Sequence, residues 1–164
     1  MSFPGRIAAA LGALTMLAGC GFTPLYAEPG VSPHLSRIAV SAPDTRAGFE
    51  LRQALEDALA WDRAQAPLWR LETEIDQSRA GLGRRVDDTV SRYELVMTIR
   101  YRLTPVSGGE AITDAVTATV TYAAADQAYA AISAQRDGEQ RAVAEAARLI
   151  RLDLSHALAD LNRP

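Results

Sequence analysis

Apolar and polar residues alternate through three long stretches of this chain. From Leu68 to Asp76, Trp69, Leu71, Thr73 and Ile75 interleave with Arg70, Glu72, Glu74 and Asp76. From Ser91 to Leu103, Tyr93, Leu95, Met97, Ile99, Tyr101 and Leu103 interleave with Arg92, Glu94, Val96, Thr98, Arg100 and Arg102. From Ile112 to Tyr122, Val116, Ala118, Val120 and Tyr122 interleave with Thr117, Thr119 and Thr121. A period of two predicts strands of a sheet buried on one face. Gly108-Gly109 predicts a hairpin turn between the last two. Ser36 to Ala42 predicts a shorter first strand, with Ile38 and Val40 on one side.

Two segments carry the helical period instead. Leu51, Ala54, Leu55, Ala58 and Leu59 form one apolar stripe, with Asp44 as candidate N-cap and an end near Trp61, before Pro67. Near the C-terminus, Asp137-Gly138-Glu139-Gln140 has the form of a capping box. Val143, Ala147, Ile150, Leu154, Ala157, Leu158 and Leu161 then line one side of a helix of roughly 25 residues, about 37 Å long. The order β-α-β-β-β-α predicts an α+β two-layer sandwich: two helices packed on one face of a four-stranded, mostly antiparallel sheet.

The N-terminus has another pattern. Arg6 precedes Ile7 to Ala18, an uncharged apolar run whose twelve residues would rise roughly 18 Å as a helix, short of a bilayer core of about 30 Å. That is the pattern of a signal peptide. It ends in Leu17-Ala18-Gly19-Cys20, which resembles the bacterial lipobox, and Cys20 is the only cysteine of the chain. With no partner for an internal disulfide, this thiol fits acylation: a diacylglycerol on sulfur and an N-acyl chain on the amine freed by cleavage. No other cofactor is expected. Gly21 to Pro33 contains three prolines and no helical period, which predicts an extended tether reaching at most about 43 Å. The predicted division is 1–19 signal peptide, 20–34 lipidated N-terminus and tether, and 35–164 a single α+β domain.

Composition adds constraints. The net charge of −3 gives no bulk attraction to nucleic acid. All 17 basic residues are arginine, a choice that a GC-rich genome accounts for. Enzyme signatures are missing: there is no G-x-S-x-G, P-loop or H-E-x-x-H. His34 and His156 stand apart, without ligand spacing to a cysteine or carboxylate. Asp87-Asp88 would point to opposite sides of an extended chain and reads as part of a solvated loop. The expected class is a non-enzymatic binding protein.

Two features suit a partner. Arg70, Glu72, Glu74, Arg92, Glu94, Arg100 and Arg102 put a row of mixed charge on the second sheet face, which fits either solvent with cross-strand ion pairs or a water-lined protein cavity. Ser78 to Val86 (SRAGLGRRV) reads as a glycine-containing loop between strands. It fits an anionic ligand or a charged, flexible hairpin equally well.

Cys20 to Tyr26 (CGFTPLY) resembles the mature N-terminus of alphaproteobacterial lipopolysaccharide-assembly lipoproteins, the LptE family. The element order and the stretch Gln135-Arg136-Asp137 to Arg141-Ala142 add looser support. The resemblance implies a lipoprotein held by Cys20 on the periplasmic side of the outer membrane. It would plug and help assemble an LptD-type β-barrel and bind lipopolysaccharide during its delivery to the surface. Candidate lipopolysaccharide contacts, chosen by local chemistry, are Arg79, Arg84, Arg85, Arg92 and Arg136. The rival functions are an auxiliary lipoprotein of an envelope lipid-transport ABC system and a lipid-anchored hydrolase.

Overall fold

A computed structural model of the chain describes residues 34–84 and 90–161. The signal peptide, Cys20, the tether, Arg85 and Asp87-Asp88 lie outside the described residues. The elements are β1 (Ile38–Ser41), α1 (Arg46–Ala58), β2 (Trp69–Arg84), β3 (Val90–Pro105), β4 (Ile112–Ala123) and α2 (Ala128–Leu161). The sheet order is β1-β2-β3-β4. β1 runs parallel to β2, because α1 carries the chain back between them; β2, β3 and β4 are antiparallel neighbours. This is the expected α+β order.

The alternation sets the core. Leu71, Met97, Ile99, Leu103, Val116 and Ala118 are buried on one face, and α1 and α2 cover them with Leu51, Leu55, Ala146, Ile150 and Leu154. The intervening residues Arg70, Glu72, Glu74, Arg100 and Arg102 stay largely exposed on the other face. Gly108 and Gly109 take positive φ at the predicted turn. The register is centred one residue earlier, on Ser107-Gly108, pairing Leu103 with Ile112 and Tyr93 with Tyr122.

Several expectations shift. The first helix is capped by Thr45, not Asp44; the Thr45 hydroxyl accepts from the Gly48 N–H at 3.0 Å. β2 does not stop at Asp76 but runs on to Arg84, 16 residues in all. The presumed flexible loop from Ser78 is therefore strand as far as Arg84, since β3 pairs with the backbone from Trp69 to Leu82 and again at Arg84. Leu161, expected on the buried side of the last helix, is 59% exposed.

The last helix also begins nine residues before the proposed capping box. The stretch from Ala128 is rich in alanine, the strongest helix former, and nothing in it breaks the turn. Asp137 is thus interior and pairs with Arg141 one turn on, at 3.0 Å. Gly138 has a packing reason: a Cβ there would lie 2.8 Å from Cδ1 of Tyr122. Gly138→Ala gains roughly 1 kcal/mol of helix propensity, but overpacking typically costs ~1–3 kcal/mol. A lower melting temperature is expected, with a displaced Tyr122 ring. A variant as stable as the parent would show that the ring yields freely.

Tyr101 points into the core, 3% exposed, with its hydroxyl 3.4 Å from Oδ2 of Asp153. Burial, the charges of Asp153 and Asp114 and the bond to Asp153 push its ionisation well above the ordinary tyrosine range. In the unfolded chain it ionises near pH ~10, while the folded chain holds the proton. Its contribution is intact below that pH and is lost as pH rises towards the folded value. Urea titrations should show stability falling above about pH 10, with a shallower fall in Tyr101→Phe. Identical slopes would remove Tyr101 as the cause.

Candidate functional site

The exposed sheet face is built by register. Ser41, Glu72, Arg102 and Thr113 lie in one row across the four strands, and Glu74 faces Arg100 in the next. Arg100 Nε is 3.4 Å from Glu74 Oε2, with the side chains 55% and 77% exposed. Such a pair contributes at most about 1 kcal/mol, so the charges set the character of the face more than its stability. The hydroxyls of Thr98 and Thr117 bond across β3 and β4 at 3.2 Å. These rows border a trough of about 470 Å³ that also reaches Ala42 and Pro43. Of the cross-strand ion pairs expected for this face, Glu74–Arg100 is formed.

A different site lies towards the far end of the sheet. Beyond Ile75 the inner face of β2 becomes polar, and Arg79 stands there opposite Leu95. Its guanidinium lies over the ring of Tyr93, 4.9 Å from the centroid. Nη1 donates to Gln135 Oε1 on α2 at 2.9 Å and to the Tyr122 hydroxyl at 3.4 Å. The Tyr122 contact raises the guanidinium's basicity further, so Arg79 is charged at every working pH. Gly81 lies opposite Tyr93 and gives that ring no cross-strand side chain. Tyr93 and Tyr122 pack with centroids 5.6 Å apart and planes tilted by 33°. Gln135 in turn donates to Glu139 at 2.8 Å, and Arg46 of α1 approaches Glu139 at 3.9 Å. A stacked and bonded arginine is pre-ordered, so binding an anion would cost it little further rotamer entropy.

A cavity of about 310 Å³ opens beside this cluster, walled by Arg79, Tyr93, Tyr122, Gln135, Ala123 to Asp126 and Ile132. Ile132 and Tyr129 on α2 are exposed near it in sequence, at 52% and 84%. The chain enters the fold at the other end, where Ile38 pairs with Trp69. Ten residues of β2 separate Trp69 from Arg79, roughly 33 Å along the strand.

The five candidate arginines divide. Arg79 forms the centre of this cluster, and Arg136 is exposed on α2 next to Gln135. Arg92 pairs with Leu82 and Ala123 on the opposite sheet face, so it does not share the cavity with Arg79. Arg84 ends β2 with its backbone paired to Val90. Tyr93, Tyr122 and Gln135 are not among the ligand contacts that the sequence suggests. The tyrosines fit the apolar alternation and were absorbed into the core, yet folding the chain about Ser107-Gly108 already brings them together. His156 is exposed on α2. Among the described residues, no group of three histidine, cysteine or acidic side chains is placed to hold a metal, and no helix is long and apolar enough to cross a membrane.

The crystal structure of a lipoprotein from Caulobacter crescentus is similar over 83% of this chain and 100% of its own, at 40% identity and a TM-score of 0.71. Rare lipoprotein B from Shewanella oneidensis shares the fold at 17% identity, covering 77% of this chain and 98% of that one, with a TM-score of 0.57. A minor lipoprotein from Acinetobacter baumannii does so at 17% identity, covering 75% and 92%, with a TM-score of 0.53. No curated protein sequence matches. The LptE model, described as lipopolysaccharide-assembly, matches residues 35–154. That span takes in all four strands, α1 and most of α2, and the chain belongs to the LptE family of lipopolysaccharide-assembly lipoproteins.

Proposed function

We propose that this lipoprotein is held by acyl chains on Cys20 at the periplasmic side of the outer membrane, fills the lumen of an LptD-type β-barrel and binds lipopolysaccharide on its way to the surface. The family's role in lipopolysaccharide assembly supports the process. The observation that carries the plug is the sheet itself. Three strands of 12 to 16 residues present a continuous polar face that neither helix covers, which suits the polar interior of a large barrel. In this reading the charged rows meet the lumen wall, where water and polar side chains keep their charges solvated. The Arg79 end lies at the opposite end of β2 from Trp69, where the described chain enters the sheet. The function is non-enzymatic: position, fill and bind. The rival reading of an ABC-system accessory gains no support from the family match.

The ligand part is tested at the end of β2. Arg84→Glu with Arg85→Glu is expected to weaken lipopolysaccharide binding by roughly tenfold or more, since bonds between charged groups contribute ~1.5–3 kcal/mol each. The circular dichroism spectrum should be unchanged. Unaltered binding in the folded double variant would remove these two arginines from the mechanism.

A further inference from the structure

The cavity beside Arg79 has chemistry narrower than general attraction to a polyanion. We infer that it is a subsite for a single acidic monosaccharide, a pyranose carrying one carboxylate or phosphate, which Arg79 holds by its anion and Tyr93, Tyr122 and Gln135 hold by its hydroxyls and ring. This rests on the reading that the protein binds lipopolysaccharide, and it adds which part of a glycolipid is gripped and by what.

Four observations carry it. First, both bonds that fix Arg79 leave from Nη1. Among the described residues Nη2 and Nε make no hydrogen bond, which leaves two parallel donors matched to a carboxylate or phosphate edge. Second, the guanidinium lies over Tyr93, 4.9 Å from its centroid, and Tyr93 packs against Tyr122. Partly exposed Tyr93 in the cavity wall supplies an aromatic surface for the C–H face of a pyranose. Third, size: about 310 Å³ is at the small end of ligand pockets, which run ~300–1,000 Å³, and admits one sugar ring.

Fourth, the surrounding charge argues against a bare anion. A phosphate site normally gathers several cations or backbone donors. Here one arginine shares the cavity wall with an acidic residue, Asp126, and has Glu139 behind Gln135. Carboxylates repel a second negative charge but accept hydrogen bonds from hydroxyls. Gln135 and the Tyr122 hydroxyl, already oriented by Arg79, supply neutral polar groups of the kind that recognise sugars. The exposed Ile132 in the wall would lie against any apolar substituent of the bound sugar.

The test uses the mature full-length chain, ¹⁵N-labelled, titrated separately with glucuronate, N-acetylglucosamine 1-phosphate, glucose and inorganic phosphate. Saturable shifts of the Arg79 Nε–H and Gln135 amide signals are expected with one or both acidic sugars. Affinity should be at least tenfold above that for glucose or phosphate, and the tighter acidic sugar identifies carboxylate or phosphate as the anion. Arg79→Lys keeps the charge but loses the planar fork, and should lower that affinity at least tenfold; Tyr122→Phe should lower it with the fold intact. Glucose binding as tightly as glucuronate, phosphate binding as tightly as the sugar phosphate, or Arg79→Lys binding like the parent would each overturn the inference. Whole lipopolysaccharide is measured in parallel with the parent protein. If it binds while neither acidic sugar does, the subsite is wrong and the lipopolysaccharide reading stands; if it does not bind, that reading fails by itself.

Discussion

Cys20→Ala, carried on a cleavable secretory leader, is expected to shift the protein from the outer-membrane fraction to the soluble periplasmic fraction. Each buried methylene contributes about 0.8 kcal/mol, and one acyl chain alone gives only reversible binding, whereas two or more give stable anchoring. A diacylglycerol and an N-acyl chain on one residue exceed that threshold, so loss of Cys20 removes all of it at once. No described helix offers a substitute membrane span. Cell fractionation and incorporation of labelled palmitate read the effect. A Cys20→Ala protein that stays with the membrane at parental levels, in cells lacking any binding partner, would show that the lipid on this residue is not the anchor.

The largest effect on stability is expected from Ile99→Ala. Ile99 is fully buried in the middle of β3, between Ile75 of β2 and Val116 of β4, beneath the helices. Truncations of this kind cost ~2–5 kcal/mol, against a total of ~5–15 kcal/mol for a typical domain. The melting temperature should fall by roughly 10 °C. Its neighbour Arg100 points to the other face, and Arg100→Ala should change stability by no more than about 0.5 kcal/mol. The contrast between adjacent residues is the measurement: equal losses would mean that the sheet is not buried on one side only.

Much of this fold is legible in the chain because β3 and β4 alternate without interruption. Each residue's face follows from parity, and the glycines place the turn to within a residue of the Ser107-Gly108 centre on which the partners meet. The last helix shows where such reading stops. Asp137-Gly138-Glu139-Gln140 satisfies the local rule for a helix start, yet the alanines before it extend the helix, and Gly138 serves a tyrosine on another strand. Ser78 to Arg84 fails similarly: small residues and glycines suggest a loop, but the facing strand supplies hydrogen bonds that no local signal reports. At the site, Arg79 stood out by charge. Gln135 did not, because its role depends on α2 crossing the sheet above Arg79, some 56 residues away in sequence. Single residues announce charge and period; a pocket made by three elements becomes visible only when they pack.

A lipoprotein that works inside a barrel must be found with that barrel in the membrane. The most direct measurement is purification of the mature protein from native outer membrane in mild detergent, with its companions identified and quantified by mass spectrometry. An LptD-type barrel at equal stoichiometry is expected, retained when Arg79 is replaced and lost when charges on the exposed sheet face are reversed at Arg100 and Arg102. Purification with an inner-membrane transport complex, or with no barrel at all, would contradict it.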